Sequence, residues 1–393
     1  MRVYIAAFGS GMGHASRMDA LAKDLVAEGH KVSFSSSGEV TGWLRSEGYD
    51  CNEIPLVDVV FTPQGNFSAT ATLRLSPVIL WHFCQQIKNE VANIARFAPD
   101  VVLSDSVAAS VIASRTVGVR CMAVLNQLRL ISSPKTPRTI AKGLTSASVA
   151  FGSQVWDLCE QVFVPDLPPP YTISEKNLWG AGEVSSRAKY IGFLTPKQTR
   201  VPAASDLLEK WRSERSRKKV FWQVSGPPAT RHSFLAKARA SAKALGDRFL
   251  FVIASGDPTG PTEPVSIPGG YLYGWCDAPR TFMGTCDAVV SRAGHVSISE
   301  FIQHAKPSLL VPIQAQTEQI GNAEKARKLG ISVVGDEARL SQQFIRESLD
   351  ALSSGSFSTR AGEIREVSEG YDAVASIRRE LDSNPPSGRP GQR

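Results

Sequence analysis

Phe8-Gly9-Ser10-Gly11-Met12-Gly13-His14 follows one short apolar run, Val3 to Phe8, and precedes an amphipathic one. Glycine tolerates positive φ, so a turn of this kind suits a strand that enters it and a helix that leaves it at once. A second turn, Ser291-Arg292-Ala293-Gly294-His295, stands near the other end of the chain. It lies between Ala288-Val289-Val290 and the helical pattern Val296 to His304. Two strand–turn–helix units this far apart predict two α/β units rather than one.

The rest of the pattern agrees. Residues Ala15 to Glu28 place Met18, Leu21, Ala22, Leu25 and Val26 on one helical face. Strands are expected at Lys31 to Ser35, Cys51 to Ile54, Pro99 to Asp105 and Cys121 to Leu125, with an irregular stretch from Asp58 to Ser76 and a helix from Pro77 to Phe97. After a Pro- and Lys-rich linker the alternation restarts, with strands at Val220 to Val224, Phe249 to Ala254, Tyr271 to Gly274, Ala288 to Val290, Pro307 to Val311 and Ser332 to Val334. The expected architecture is α/β, with two Rossmann-like doubly wound domains and a cleft between them. Its parts are residues 1–195, a linker at 196–204, residues 205–360, a helix at 361–382 packing back across the domains, and a disordered tail at 383–393.

A chain of 393 residues has room for two cores, and its net charge of +7 suits an anionic ligand or an anionic membrane surface. No aromatic-interleaved basic module points to nucleic acid, and the run Arg212 to Lys219 reads as a solvated helix face. The six cysteines form no Cys-x-x-Cys pair, which suits a reducing, cytoplasmic setting. Neither a signal peptide nor an apolar run of about 18 residues is evident.

Both turns can hold an anion, because a helix start offers unpaired N–H groups and a positive dipole end. In the first turn Gly11 and Gly13 would let a ligand approach. His14 faces the crevice as a general base or hydrogen-bond donor, and Arg17, one turn on, can reach the same anion. In the second, Ser291 and the backbone through Ala293 and Gly294 can cradle a diphosphate, and Glu300 can accept ribose hydroxyls. The loop after Val311-Pro312 carries Glu318, Gln319 and Asn322, which suit sugar hydroxyls. Asp105 ends a strand where α/β sites gather, so the base is His14 or Asp105; a helix N-cap is the plainer reading of Asp105. No Asp-x-Asp occurs, so neither a metal clamp nor a cofactor is expected.

These residues carry a resemblance. The Ser-Arg-small-Gly turn, the glutamate on its helix and the Val-Pro-x-Gln strand end followed by Gln-x-x-Asn-Ala are similar to GT-B glycosyltransferases. Among these they resemble family 28, which includes the bacterial enzyme that adds N-acetylglucosamine to the lipid-linked peptidoglycan precursor. The opening His14-x-x-Arg17 resembles related archaeal and bacterial predicted glycosyltransferases.

The resemblance implies the GT-B fold and a nucleotide-sugar donor, most simply a UDP-sugar, on the C-terminal domain. It implies Ser225, Gly226 and residues Ser291, Arg292, Ala293, Gly294 and His295 near the diphosphate, and Glu300 on the ribose. Gly274 and Trp275 would lie by the base, with Gln319 and Asn322 on the sugar. It favours transfer of a hexosyl or N-acetylhexosaminyl group to a hydroxyl acceptor. A lipid-linked acceptor and peripheral contact with the inner face of the membrane would fit the apolar run Leu75 to Phe83 and the basic residues Arg129, Lys135, Arg138 and Lys142. A core helix beside a solvated loop fits them as well. A nucleotide-sugar hydrolase, a 2-epimerase and a non-catalytic nucleotide-sugar-binding protein are the alternatives.

Overall fold

A computed structural model describes residues 1–57, 60, 69–128, 138–178, 186–196, 205–226, 228–314 and 316–383. The N-terminal unit runs β1 (Arg2–Ala7), α1 (Met12–Ala27), β2 (Lys31–Ser36), α2 (Gly38–Ser46), β3 (Asp50–Glu53), α3 (Ala69–Arg74), α4 (Ser76–Phe97), β4 (Val101–Asp105), α5 (Ala108–Val117), β5 (Arg120–Val124), α6 (Arg138–Trp156), β6 (Gln161–Val164), α7 (Glu175–Leu178) and β7 (Lys189–Tyr190). The C-terminal unit runs α8 (Ser205–Ser213), β8 (Lys218–Gln223), α9 (Pro228–Leu245), β9 (Phe249–Ala254), β10 (Val265–Ile267), β11 (Gly270–Tyr273), α10 (Pro279–Thr285), β12 (Ala288–Ser291), α11 (His295–Gln303), β13 (Ser308–Leu310), α12 (Thr317–Lys328), β14 (Ser332–Val334), α13 (Gln342–Leu352) and α14 (Ser356–Glu369). A last helix, α15 (Ala373–Ser383), follows.

Among the described residues each unit holds one seven-stranded sheet, ordered β3-β2-β1-β4-β5-β6-β7 in the first and β10-β11-β9-β8-β12-β13-β14 in the second. Every pairing is parallel except β10 with β11, an antiparallel edge that the sequence pattern did not announce. Strands covered on both faces read as continuous apolar runs. Val3, Ile5 and Ala7 of β1 pack on α1, while Tyr4 and Ala6 pack on the opposite face with Ile94 of α4. The chain order reverses beside β1 and β4 in one sheet and beside β8 and β12 in the other. The crevice at the carboxyl ends of such strand pairs is where α/β sheets bind ligands. Both glycine turns sit at these two points.

Several expectations change. Ala69–Arg74 is helical, within the stretch read as irregular. The basic run Arg212 to Lys219 spans the end of α8, the turn in which Arg217 pairs with Glu214, and the start of β8, rather than one helix face. Residues 361–382 form two helices, broken at Gly370, and the second buries Ala373, Val374, Ile377 and Leu381 against the N-terminal core. Val26, expected on the apolar face, is exposed in the last turn of α1. Residues 197–204 of the expected linker and the tail beyond Ser383 lie outside the described residues. Among the described residues, no helix is long and apolar enough to cross a membrane.

Candidate active site

Gly11 caps α1 with φ 88°, the left-handed region that a side chain resists. A Cβ on Gly9 would stand 2.6 Å from Cβ of Ser37, so the turn can lie against the start of α2 only as glycine. The helix it launches has no acidic residue in its first turn and no side-chain cap. Its opening amides and dipole therefore remain available to an anion.

His14 stands in that first turn, 21% exposed, with Phe8 edge-on at 5.4 Å between ring centres. Its Nδ1 lies 2.8 Å from Oδ1 of Asp105, the last residue of the neighbouring strand β4. Asp105 is fully buried. Burial alone would raise its pKa, but Arg17 and His14 outweigh that and hold it down at about 2. Arg17 reaches both carboxylate oxygens, with Nε donating to Oδ2 at 2.6 Å and Nη2 to Oδ1. Nη2 of Arg17 and Nδ1 of His14, 3.0 Å apart, converge as donors on the same ionised oxygen. With a proton on Nδ1, His14 donates to Asp105, and Nε2 is the nitrogen left to accept a proton.

This arrangement sorts three sequence candidates. Asp105 has both oxygens engaged by His14 and Arg17 and no exposure, so neither oxygen is presented to a hydroxyl in the cleft. Nor does it cap a helix, since α5 is preceded by Val107. Arg17 is 2% exposed and committed to Asp105, which keeps it from a ligand phosphate.

Across the cleft, Gly226 follows β8 with φ 103°, and Gly294 caps α11 after β12. A Cβ on Gly294 would meet only Oγ of Ser297, at 3.9 Å, so the turn is open on that side. The α11 ladder begins with Ile298 N–H on Gly294 O at 3.1 Å, leaving the amides of His295, Val296 and Ser297 at the helix start. A Cβ on Gly13 would lie 3.7 Å from Cγ2 of Val296. The two helix starts thus face each other across the units.

Residues 1–155 match the glycosyl transferase family 1 profile, and residues 272–372 match the glycosyltransferase family 28 C-terminal domain. A protein of Methanosarcina mazei described as an uncharacterized glycosyltransferase is 25% identical over 328 residues, 82% of each chain. The UDP-N-acetylglucosamine--N-acetylmuramyl-(pentapeptide) pyrophosphoryl-undecaprenol N-acetylglucosamine transferase of Clostridium tetani is 40% identical over 74 residues, 18% of this chain and 21% of that one. A spinosyn rhamnosyltransferase solved with thymidine diphosphate superposes with a TM-score of 0.68 over 97% of this chain and all of the other, at 16% identity. The chain is a glycosyltransferase of the GT-B fold.

Other expected donor residues of this glycosyltransferase turn out to brace the turns. Arg292 is 1% exposed and points to the rear, donating to Glu337 at 2.7 Å and to the carbonyls of Val311 and Thr230, over the ring of Phe234. It cannot also grip a diphosphate, although its backbone remains part of the turn. Ser291 and Ala293 are fully buried, and the Ser291 hydroxyl has no partner among the described residues.

His295 Nε2 lies 3.0 Å from Asp166 of the N-terminal unit, so its ring joins the units. Gln319 accepts from Ile313 N–H at 3.0 Å and donates to Gln316 at 2.8 Å. Asn322, fully buried, donates to the Ala293 carbonyl at 3.2 Å and accepts from Asn177 at 3.4 Å. Both side-chain amides are thus hydrogen-bonded within the protein. The Trp275 N–H donates to Pro261 O, and the Gly274 carbonyl accepts from Ser255 Oγ, so two backbone groups of the expected base site are already engaged. Ser225 stays partly exposed beside Gly226, and Glu300 is buried next to Arg280.

Sequence reading missed Asn126, at the end of β5. Its Oδ1 faces Arg17 Nη2 at 3.4 Å, and its Nδ2 donates to Glu318 of the C-terminal unit at 3.2 Å. Glu39 and Arg231, 2.7 Å apart, make another bridge between the units. Neither pair leaves a local signal, because each unites residues about 190 positions apart.

Proposed function

We propose that this glycosyltransferase moves a hexosyl or N-acetylhexosaminyl group from a UDP-sugar to an acceptor hydroxyl, with His14 as the general base. The observation that carries the reading is the His14–Asp105 pair set directly opposite the start of α11. The acceptor hydroxyl gives its proton to Nε2 while its oxygen attacks the anomeric carbon. The bond from that carbon to the diphosphate breaks with inversion. Asp105 stabilises the imidazolium that forms, and the amides of α11 with the Ser225-Gly226 turn take up the charge of the leaving diphosphate. The UDP-sugar is supported by the Clostridium relative, a UDP-N-acetylglucosamine-dependent transferase, and a nucleoside diphosphate generally by the neighbour bound to thymidine diphosphate.

A lipid-linked acceptor is supported by α3 and α4. Leu73, Leu80 and Trp81 are 68, 61 and 59% exposed, and Leu75 and Val78 are exposed beside them. No Asp or Glu occurs from 59 to 89, so this apolar surface carries no charge that anionic headgroups would repel. Arg129 and Lys135 of the basic stretch lie outside the described residues.

The test is release of nucleoside diphosphate from a panel of nucleotide sugars, with and without a polyprenyl-linked acceptor and with and without EDTA. Acceptor-dependent, EDTA-insensitive release that His14→Ala abolishes is the expected result. Release at full rate without any acceptor would replace the transferase with a hydrolase.

A further inference from the structure

Arg231 is the fourth residue of α9, the helix that follows the Ser225-Gly226 turn. Its Nε donates to the Gly226 carbonyl at 2.7 Å, and its Nη2 donates to Oε1 of Glu39 at 2.7 Å. Nη1 has no hydrogen-bond partner among the described residues. Glu39 stands in the first turn of α2, in the opposite unit. The N-cap of that helix is Ser37, the residue that a Cβ on Gly9 would strike. The guanidinium therefore lies in the gap between the units. One nitrogen holds the turn after β8, and another holds the helix that abuts the turn after β1.

Exposure separates Arg231 from the other arginines beside the turns. Arg17 and Arg292 are 2 and 1% exposed and closed to a ligand. The Arg231 and Glu39 side chains are 13 and 30% exposed. A partly hydrated ion pair of this kind holds its partners weakly. A diphosphate carries more charge, on oxygens that suit the arginine fork. Glu39 left in place would also set a carboxylate against that anion. We propose that Arg231 is a diphosphate-binding residue and that Glu39 competes with the diphosphate for it. Binding of the nucleotide moves the guanidinium from Glu39 to the phosphates, and its departure returns it. This rests on the reading of the glycine turns as the diphosphate cradle. It adds a full charge where the helix starts supply partial ones.

The experiment is calorimetric titration of the full chain with UDP and uridine, and with the matching thymidine and guanosine pairs. For whichever base binds, Arg231→Ala is expected to weaken the diphosphate about 10- to 100-fold, the range for hydrogen bonds to charged groups, and the nucleoside less than about twofold. Glu39→Gln removes the competitor and is expected to tighten the diphosphate about 2- to 10-fold. The opposite signs distinguish competition from bracing, since a brace between the units would be lost in either variant and both would bind more weakly. Arg231→Lys keeps the charge without the fork and covers the case in which the alanine variant does not fold; a weakening of about 3- to 10-fold is expected. Glu39→Gln at or below wild-type affinity overturns the inference. So does Arg231→Ala with unchanged diphosphate affinity, or with equal weakening of diphosphate and nucleoside; both leave the donor reading intact. Failure of every diphosphate to bind the wild-type chain overturns it together with that reading.

Discussion

Nδ1 of His14 lies 2.8 Å from Oδ1 of Asp105, and the imidazole bridges a buried anion and an accessible cleft. Replacing either partner is expected to spare donor binding and lower turnover. His14→Ala removes the proton acceptor, and the expected loss in kcat is about 10²- to 10⁴-fold with donor KM little changed. Asp105→Asn keeps the shape but removes the charge that holds the tautomer, so its kcat should fall within the same range. It also strands the Arg17 guanidinium in the interior, a change that costs about 3–5 kcal/mol when a buried pair is broken. Unfolding by urea should therefore separate the two variants. An Asp105→Asn protein with wild-type kcat would remove the orienting role.

Legibility in the sequence ended where direction began. The strand–turn–helix units could be read because Gly11 and Gly226 need backbone that other residues resist, and because the apolar runs match the strand and helix periods. Arg17 and Arg292 could be placed on helix starts, but not aimed. The carboxylates that claim them, Asp105 and Glu337, lie 88 and 45 residues away and arrive only through tertiary packing. The run Leu75 to Phe83 has helical spacing whether its outer face meets protein or solvent. Only the structure, in which α4 buries Gln86, Glu90 and Ile94 alone, tells the two apart. Arg231 went unread because an arginine at a helix start carries no mark of the glutamate it meets 192 residues away.

Glu90 gives the fold a pH dependence of its own. It is fully buried between α4 and the sheet, accepting from Tyr4 Oη at 2.5 Å and Ser35 Oγ at 2.7 Å. Burial lifts its pKa from the usual 4.5 to about 7, against the lowering effect of the two hydrogen bonds. Between those values the folded chain keeps a proton that the unfolded chain has lost, so stability falls as pH rises and levels off above about 7. The expected loss is about 3 kcal/mol, from 1.36 kcal/mol per pKa unit. Glu90→Gln should flatten this window in denaturant titrations at a series of pH values. Asp105 acts with the opposite sign, and its stabilisation disappears only as pH drops from 3.8 towards about 2.

The exposed face of α3 and α4 should bind lipid. Leu80→Glu with Trp81→Glu removes two large apolar side chains and adds charge that anionic headgroups repel. Sedimentation with vesicles containing an anionic lipid is expected to fall at least fivefold, by the transfer energy of the two side chains. UDP affinity should not change, since both residues belong to the N-terminal unit and the proposed donor turn to the C-terminal one. Wild-type chain that stays in the supernatant with such vesicles would discard the membrane contact and leave the transferase untouched.

His295 and Asp166 connect the second glycine turn to the opposite unit. Asp166 is fully buried, and it also accepts from the amides of Leu167 at 2.8 Å, Ile173 at 3.2 Å and Ser174 at 2.8 Å and from the Ser174 hydroxyl at 2.7 Å. Losing one donor of five leaves this carboxylate well satisfied, so His295→Ala should cost only about 1–2 kcal/mol of stability. Losing the carboxylate itself leaves three amides, a hydroxyl and the imidazole unmet, so Asp166→Ala should be far more damaging. The catalytic consequence of His295→Ala lies in position. As first residue of α11, His295 aligns the amides that face Gly13, and freeing it loosens that register. A donor KM raised by about 3- to 10-fold, with kcat lowered by a similar factor, is expected from an interaction of that size. Steady-state kinetics on the purified variant decide the point: an unchanged KM and kcat at wild-type stability would mean that α11 is positioned without this bond.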